Sequence, residues 1–206
     1  MKKYFAALSA AALLGSASNA FAASSTDLSV TGLITPEACR PTLSSGGEID
    51  VGKISSKDLH PTNHTRLGTY PMQLNVACDG PMTLILTGVD NRPGTGSTSQ
   101  WYGLGLTDKG EKLGTINVQA KSAVADGAPA RLIQSVNDGA TWTPANWVYP
   151  SIQLSVSSTT DLTVPITVKD LAAELDIYVN IAPARGLTLT DDIKIDGHAT
   201  FELTYF

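Results

Sequence analysis

Apolar and polar residues alternate along most of this chain, and this period of two constrains its fold more than any other sequence feature. Alternation places successive side chains on opposite faces of an extended strand, so it is typical of strands with one buried face. The runs that show it are residues 28–34, 72–78, 82–86, 101–107, 113–120, 131–136, 152–156, 162–168, 177–181 and 199–205. Residues 169–175 have helical character instead, and this segment is short.

Sequences rich in Gly, Pro, Asn and Asp separate these runs and predict turns. Examples are residues 79–81, 91–94, 108–110, 137–139 and 184–186. Many short strands joined by such turns favour an antiparallel all-β domain over a parallel α/β sheet. The pattern therefore predicts a β-sandwich.

The first 22 residues have the three parts of a secretory signal peptide. Lys2 and Lys3 form a positive start, residues 5–14 are apolar, and Ala20 and Ala22 supply the small residues that signal peptidase accepts. We therefore expect residues 1–22 to be removed during export of a soluble protein.

The charge balance argues against a nucleic-acid partner. Two of the 14 basic residues lie in the signal, so the exported chain carries 12 against 19 acidic residues, a formal charge of −7. Phosphate binding needs a clustered positive surface, and the sequence contains no such cluster. Beyond the signal, no apolar run reaches the length of a membrane span. We therefore expect neither nucleic acid nor a membrane span.

The chain contains two cysteines, Cys39 and Cys78. In an oxidising compartment, an isolated pair on one small domain is most simply a disulfide. Metal binding is the alternative, but two thiols supply half of a tetrahedral shell and no histidine lies near either cysteine in sequence. The pair therefore predicts a disulfide.

Four parts of the chain, taken in order, resemble the subunits of bacterial chaperone–usher fimbriae, the pilins. They are residues 30–39, residues 49–54 followed by 70–78, residues 103–113, and residues 197–206. The first and second parts each end in a cysteine, and the fourth has a penultimate tyrosine. The resemblance covers essentially the whole chain after the signal and extends to the fimbrial-like branch of the family.

The resemblance implies an immunoglobulin-like antiparallel β-sandwich over residues 35–206 that lacks its last strand, preceded by a donor-strand arm over residues 23–34. The arm would complete a neighbouring subunit through its apolar side chains and through a glycine that allows close backbone approach. These residues are Leu28, Val30, Gly32 and Ile34. The C-terminal strand would present one face, Ala199, Phe201, Leu203 and Tyr205, to a periplasmic chaperone.

The implied function is that of a structural subunit that contributes to cell adhesion. Its implied partners are the chaperone, an outer-membrane usher and neighbouring subunits, and its implied route leads through the periplasm to the cell-surface fimbrium. We expect no cofactor and no metal.

The tryptophans leave a second function open. Trp142 and Trp147 lie in a proline-containing stretch and are candidate glycan contacts, as exposed aromatic rings stack on sugars. The alternative function is therefore a fimbrial tip adhesin or an exported carbohydrate-binding β-sandwich module. Packing of these rings within the protein is the commoner outcome.

An enzyme is the weakest hypothesis. His60 and His64 have metal-like spacing for a helix, but Pro61 between them favours a solvated loop. His198 lies on the strand face opposite Phe201. No histidine lies near a nucleophile motif or a metal-ligand cluster, and no catalytic residue is predicted.

Overall fold

A computed structural model describes Ser29 and residues 39–206, and these contain ten β-strands and three short 3-10 helices. The strands are β1 (Cys39–Leu43), β2 (Thr65–Asp90), β3 (Tyr102–Gly103), β4 (Gly114–Ala125), β5 (Ala128–Ser135), β6 (Thr143–Pro144), β7 (Trp147–Val148), β8 (Gln153–Ser157), β9 (Thr167–Ile181) and β10 (Ala199–Tyr205). The 3-10 helices are Ser44–Gly47, Ser56–Asp58 and Ala184–Gly186. Each pairing between two of these strands is antiparallel. The predicted all-β class is confirmed.

Five of the strands close into a ring through their edges. β4 pairs with β9, β9 with β2, β2 with β8, β8 with β5, and β5 with β4. The short strands add to this ring: β1 and β10 pair with β2, β3 and β7 with β4, and β6 with β5. The described residues thus form a closed antiparallel sheet, and the immunoglobulin-like arrangement stays a prediction.

The strand β2 runs for 26 residues and passes through the segment for which a turn was predicted. Ala77 pairs with Asp170 and Met82 with Val168, so five steps along β2 match two steps along β9. Residues 79–81 are therefore a bulge rather than a turn. A bulge accommodates Pro81 because an unpaired residue need not donate a backbone hydrogen bond.

The helical prediction for residues 169–175 is wrong, because this segment lies within β9. Its backbone pairs with β2 on one edge and with β4 on the other, and Ala173 and Leu175 are buried. Pairing on both edges outweighs local helix propensity. The strands predicted at 101–107 and 162–168 are also shorter than expected, since β3 has two residues and β9 begins at Thr167.

The hydrophobic core lies inside the closed sheet. Its largest fully buried side chains are Tyr102, Leu104, Ile133, Leu154, Val118, Val148, Val156 and Val168. A second, smaller cluster contains Leu104, Leu113, Val179 and Ile181, and half-buried side chains such as Ile49 and Ile195 pack against it from segments without regular structure. This second cluster forms the base of the candidate site.

Candidate functional site

An open groove of about 800 Å³, with an apolar floor and walls of mixed polarity, lies over the inward-facing side chains of β2, β4 and β9. Its floor consists of Met72, Leu104, Leu113, Ile116, Val118, Ile177, Val179 and Ile181. Two segments, residues 43–59 and residues 189–201, form its walls. Because folding normally removes such surface from water, an open apolar groove is the leading candidate for a binding site.

The first wall, residues 43–59, supplies apolar side chains but forms little regular structure after β1. Ser44 Oγ accepts a hydrogen bond of 2.9 Å from the Gln73 N–H in β2, which anchors the start of the wall. Ile49 and Val51 pack half-buried against the second cluster, and Ile54 is 37% exposed. This wall therefore presents apolar and polar side chains to the groove, and beyond Leu43 it does not belong to the sheet.

The second wall, residues 189–201, approaches the floor closely at Gly197. A Cβ atom built on Gly197 would lie 2.6 Å from Ile116 Cδ1 and 2.7 Å from Leu104 Cδ2, distances that real Cβ atoms essentially never show. The backbone can pass this close because glycine has no side chain. The wall is also held by Arg92, which forms a 2.9 Å ion pair with Asp196 and donates a 3.1 Å hydrogen bond to its carbonyl oxygen.

The second wall continues into β10, the strand predicted at the C-terminal end of the sequence. Its register on β2 is regular, with Phe201 opposite Gly88 and Tyr205 opposite Leu84. The face singled out from the sequence, Ala199, Phe201, Leu203 and Tyr205, is half-buried against the main core. The Phe201 ring meets the buried Tyr102 ring edge-on, with centroids 6.5 Å apart.

Within the described part of the chain, β10 pairs with β2 and with no other strand. Thr200, Glu202 and Thr204 are exposed, while the alternate face points to the core. His198, just before the strand, is exposed and lines the groove. Among residues 39–206, the second edge of β10 therefore has no strand partner.

The predicted disulfide is confirmed. Cys39 and Cys78 are bonded to each other and are direct partners in the register of β1 on β2. The bond links residues 39 positions apart and lies at the start of the strand that leads into the first wall. The disulfide therefore fixes one end of the groove lining to the sheet.

The predicted donor residues Leu28, Val30, Gly32 and Ile34 lie outside the described residues, as does the predicted signal at residues 1–22. Their roles stay predictions.

The two candidate glycan contacts have different surroundings. Trp142 is 8% exposed and belongs to the buried residues. Trp147 is half-buried on β7, and its ring lies 5.1 Å from that of Trp101. Among residues 39–206, no ring contact joins Trp142 to Trp147.

The histidine loop has the form expected from Pro61. His60 and His64 are exposed and lie outside any helix. His60 Nδ1 accepts hydrogen bonds from the Thr62 and Asn63 N–H groups, and His64 Nε2 lies 2.9 Å from Ser97 Oγ. Throughout Ser29 and residues 39–206, no three His, Cys, Asp or Glu side chains are grouped to hold a metal ion.

No helix within Ser29 and residues 39–206 has the length and hydropathy needed to cross a membrane.

The Arg92–Asp196 pair should make the second wall sensitive to acid. The hydrogen bond that Arg92 donates lowers the pKa of the Asp196 carboxyl below its usual value. A carboxyl with a lowered pKa stabilises the folded state above its usual pKa, and this contribution is lost as the pH falls through the lowered value. We expect Asp196→Asn to lower the urea midpoint at neutral pH and to match the parent at strongly acidic pH.

The matched control for this acid effect is Asp192→Asn, an exposed substitution in the same wall. It should leave the urea midpoint close to that of the parent. A difference between Asp196→Asn and the parent that stays constant across the pH range would contradict the role of this ion pair.

Sequence reasoning did not identify the walls of the groove. The sequence around the second wall did contain a signal, namely apolar residues spaced as on one face of a strand. Leu187, Leu189, Ile193 and Ile195 are separated by two or four positions, although they do not form a strand. The pairing of Arg92 with Asp196, 104 residues away, had no local signal. The first wall lies in a region that sequence comparison with pilins did single out, at residues 49–54, although without a structural role.

Comparisons with known proteins found a matching family model and a similar curated protein. A family model described as a protein of unknown function (DUF1120) matches residues 28–100, which contain β1, β2 and both cysteines. The protein GltF of Escherichia coli (strain K12) is 30% identical over an alignment 242 positions long, gaps included, which covers 95% of this chain and 94% of GltF. The similarity therefore extends over nearly the full length of both chains.

Proposed function

This chain belongs to the family of the Escherichia coli protein GltF, and we propose that it is a structural subunit of a bacterial chaperone–usher fimbrium. The observation that carries the proposal is the apolar floor of the open groove beside β10. A groove of this kind suits an extended segment whose alternate apolar side chains enter it while its backbone pairs with a free strand edge. The protein acts in this proposal through binding and assembly rather than catalysis.

The resemblance to pilins gives the proposal its form. The protein would be an immunoglobulin-like sandwich that lacks one strand, and the arm of a neighbouring subunit would supply it. Leu28, Val30 and Ile34 are the side chains that would enter the groove, and each contributes about 1.5–3 kcal/mol when fully buried. The stability of one subunit would therefore depend on the arm of the next subunit. Because this contact is head-to-tail, its repetition from subunit to subunit would build a filament.

Before assembly, the open groove and the unpaired edge of β10 would promote aggregation. A periplasmic chaperone that lends a strand to this edge would prevent it, and β10 would be its docking strand. At an outer-membrane usher, the donor arm of the next subunit would then replace the chaperone strand. The protein would reach the cell-surface fimbrium through the periplasm, and there it would contribute to adhesion.

The proposal predicts that a peptide with the sequence of residues 23–34 binds the purified exported protein and stabilises it. At a peptide concentration 100 times its dissociation constant, the gain is about 2.7 kcal/mol, or a rise of about 5–10 °C in melting temperature. The control peptide carries Ser at positions 28, 30 and 34 and should produce no rise. Calorimetry or dye-based thermal melting measures both.

Two protein variants test whether the peptide occupies the groove. Ile195→Asp places a charge in the second wall and should abolish the rise in melting temperature. Val136→Asp changes an apolar residue that is 75% exposed and lies outside the groove, and its response should equal that of the parent. If the parent protein does not respond to the peptide, or if Ile195→Asp responds fully, the proposed assembly mechanism is wrong.

A further inference from the structure

Four aromatic side chains form a continuous row that is separate from the groove. The Trp101 ring lies 5.1 Å from that of Trp147 and 4.7 Å from that of Tyr149, and the Trp147 ring lies 5.9 Å from that of Tyr178. We call these four residues the aromatic face. Trp101, Trp147 and Tyr149 are half-buried, so part of each ring is open to solvent.

The aromatic face lies on the outer side of the sheet. Val118 and Ile177 point inward to the groove floor, so the next residues along each strand, Gln119 and Tyr178, point outward. Trp147 is the register partner of Gln119 across β7 and β4, which places its side chain on the same outer side. The groove and the aromatic face therefore lie on opposite sides of the same strands.

Polar side chains fix the aromatic face in place and surround it. The Tyr178 hydroxyl donates a 2.6 Å hydrogen bond to Gln119 Oε1. Asn180 Nδ2 donates a 2.9 Å hydrogen bond to Asn117 Oδ1 beside it. The Tyr178 ring, held in this way, loses little conformational freedom when a ligand binds beside it. Amides at the border of aromatic rings are the groups that hydrogen-bond sugar hydroxyls.

One end of the aromatic face carries a cation. The guanidinium carbon of Arg66 lies 4.2 Å from the centroid of the Tyr178 ring. Arg66 is exposed, and within Ser29 and residues 39–206 no carboxylate forms an ion pair with it. Arg66 Nε donates a 3.5 Å hydrogen bond to Asn180 Oδ1, which leaves the terminal N–H groups of the guanidinium for a planar anion, and a carboxylate is the geometric match.

We propose that the aromatic face and Arg66 form a binding site for an acidic saccharide. One sugar ring stacks on the exposed part of Trp147, the ring beside Tyr178, with the Trp101 ring edge-on to it at 67°, and the sugar carboxylate pairs with Arg66. Charge complementarity selects an acidic sugar over a neutral one, because Arg66 is the cation at this face that has no carboxylate partner in the described chain. The Asp176 carboxylate lies 3.5 Å from the Tyr178 hydroxyl, but it is paired with Lys121 at 3.5 Å, so this pair adds no net charge beside the aromatic face. The proposal does not rest on the fimbrial function, since it uses neither the groove nor β10.

The test uses the full exported protein and two probes, 3′-sialyllactose and lactose, which share the lactose unit and differ in the acidic sugar. Tryptophan fluorescence and saturation-transfer NMR report binding at millimolar concentration. We expect sialyllactose to bind and lactose to bind at least about tenfold more weakly, the ratio that a charge-assisted hydrogen bond provides.

Variants then locate the site. Arg66→Gln should weaken sialyllactose binding about tenfold, whereas Arg131→Gln, at an exposed arginine on β5, should bind as the parent does. Trp147→Ala should abolish binding, with circular dichroism to check the fold; if that variant unfolds, Arg66→Gln decides. The proposal is overturned if sialyllactose does not bind, if lactose binds equally well, or if Arg66→Gln binds like the parent.

Discussion

Removal of the Cys39–Cys78 disulfide should lower the free energy of unfolding by about 4 kcal/mol. The bond closes a loop of 39 residues, and the chain-entropy model gives this loss for a loop of that length. The effect is a large part of the stability of an ordinary domain. Because β1 leads into the first wall, loss of the bond should also loosen the lining of the groove. The rise in melting temperature produced by the peptide of residues 23–34 should then be smaller. Urea denaturation of Cys39→Ala/Cys78→Ala measures the loss.

Reduced wild-type protein is the matched control for the disulfide, because it keeps both sulfur atoms in the core and lacks the covalent link. Its free energy of unfolding should be close to that of the double variant. An unchanged urea midpoint after reduction would show that the disulfide does not raise the free energy of unfolding.

Gly114→Ala should cost about 3 kcal/mol or more, or prevent accumulation of folded protein. A Cβ atom at Gly114 would overlap the backbone carbonyl oxygen of Asn180 and would lie 3.0 Å from the Ile181 Cα. Both atoms belong to the backbone of β9, so no side-chain rotation relieves the overlap, and the pairing of β4 with β9 must shift. Urea denaturation and the yield of exported protein measure the effect.

The matched control for this substitution is Gly186→Ala. A Cβ atom there meets no heavy atom within 4 Å, so the change in free energy of unfolding should stay within about 0.5 kcal/mol. Equal stability of Gly114→Ala and Gly186→Ala would contradict the close approach of β4 to β9.

Features that local sequence determines were predictable. Alternation predicted β10 at its observed residues, since a strand with one buried face needs nothing beyond the period of two. The turn signals at 108–110 and 137–139 coincide with turns, because Gly110 and Gly139 have the positive φ angles that glycine allows. The disulfide followed from having two cysteines in a domain that we expected to be exported.

Features that depend on distant partners were not predictable. The helical tendency of residues 169–175 is overruled because β9 is paired on both edges, and the turn signal at 79–81 becomes a bulge because β2 continues along its neighbours. The groove depends on two irregular segments that reach the same floor from far apart in the sequence. The aromatic face combines residues from β7, β9 and a loop, and no single segment shows it.

The pairing of β10 with the second half of β2 also sets an order of events during synthesis. Asn91 and Thr200, whose side chains are hydrogen-bonded at this pairing, are 109 residues apart in the sequence. Contacts between such distant residues form slowly, because the chain entropy of a long loop must be lost before any contact is gained. β2 is therefore synthesised long before its partner strand exists, and its apolar face must be kept from aggregating during that interval.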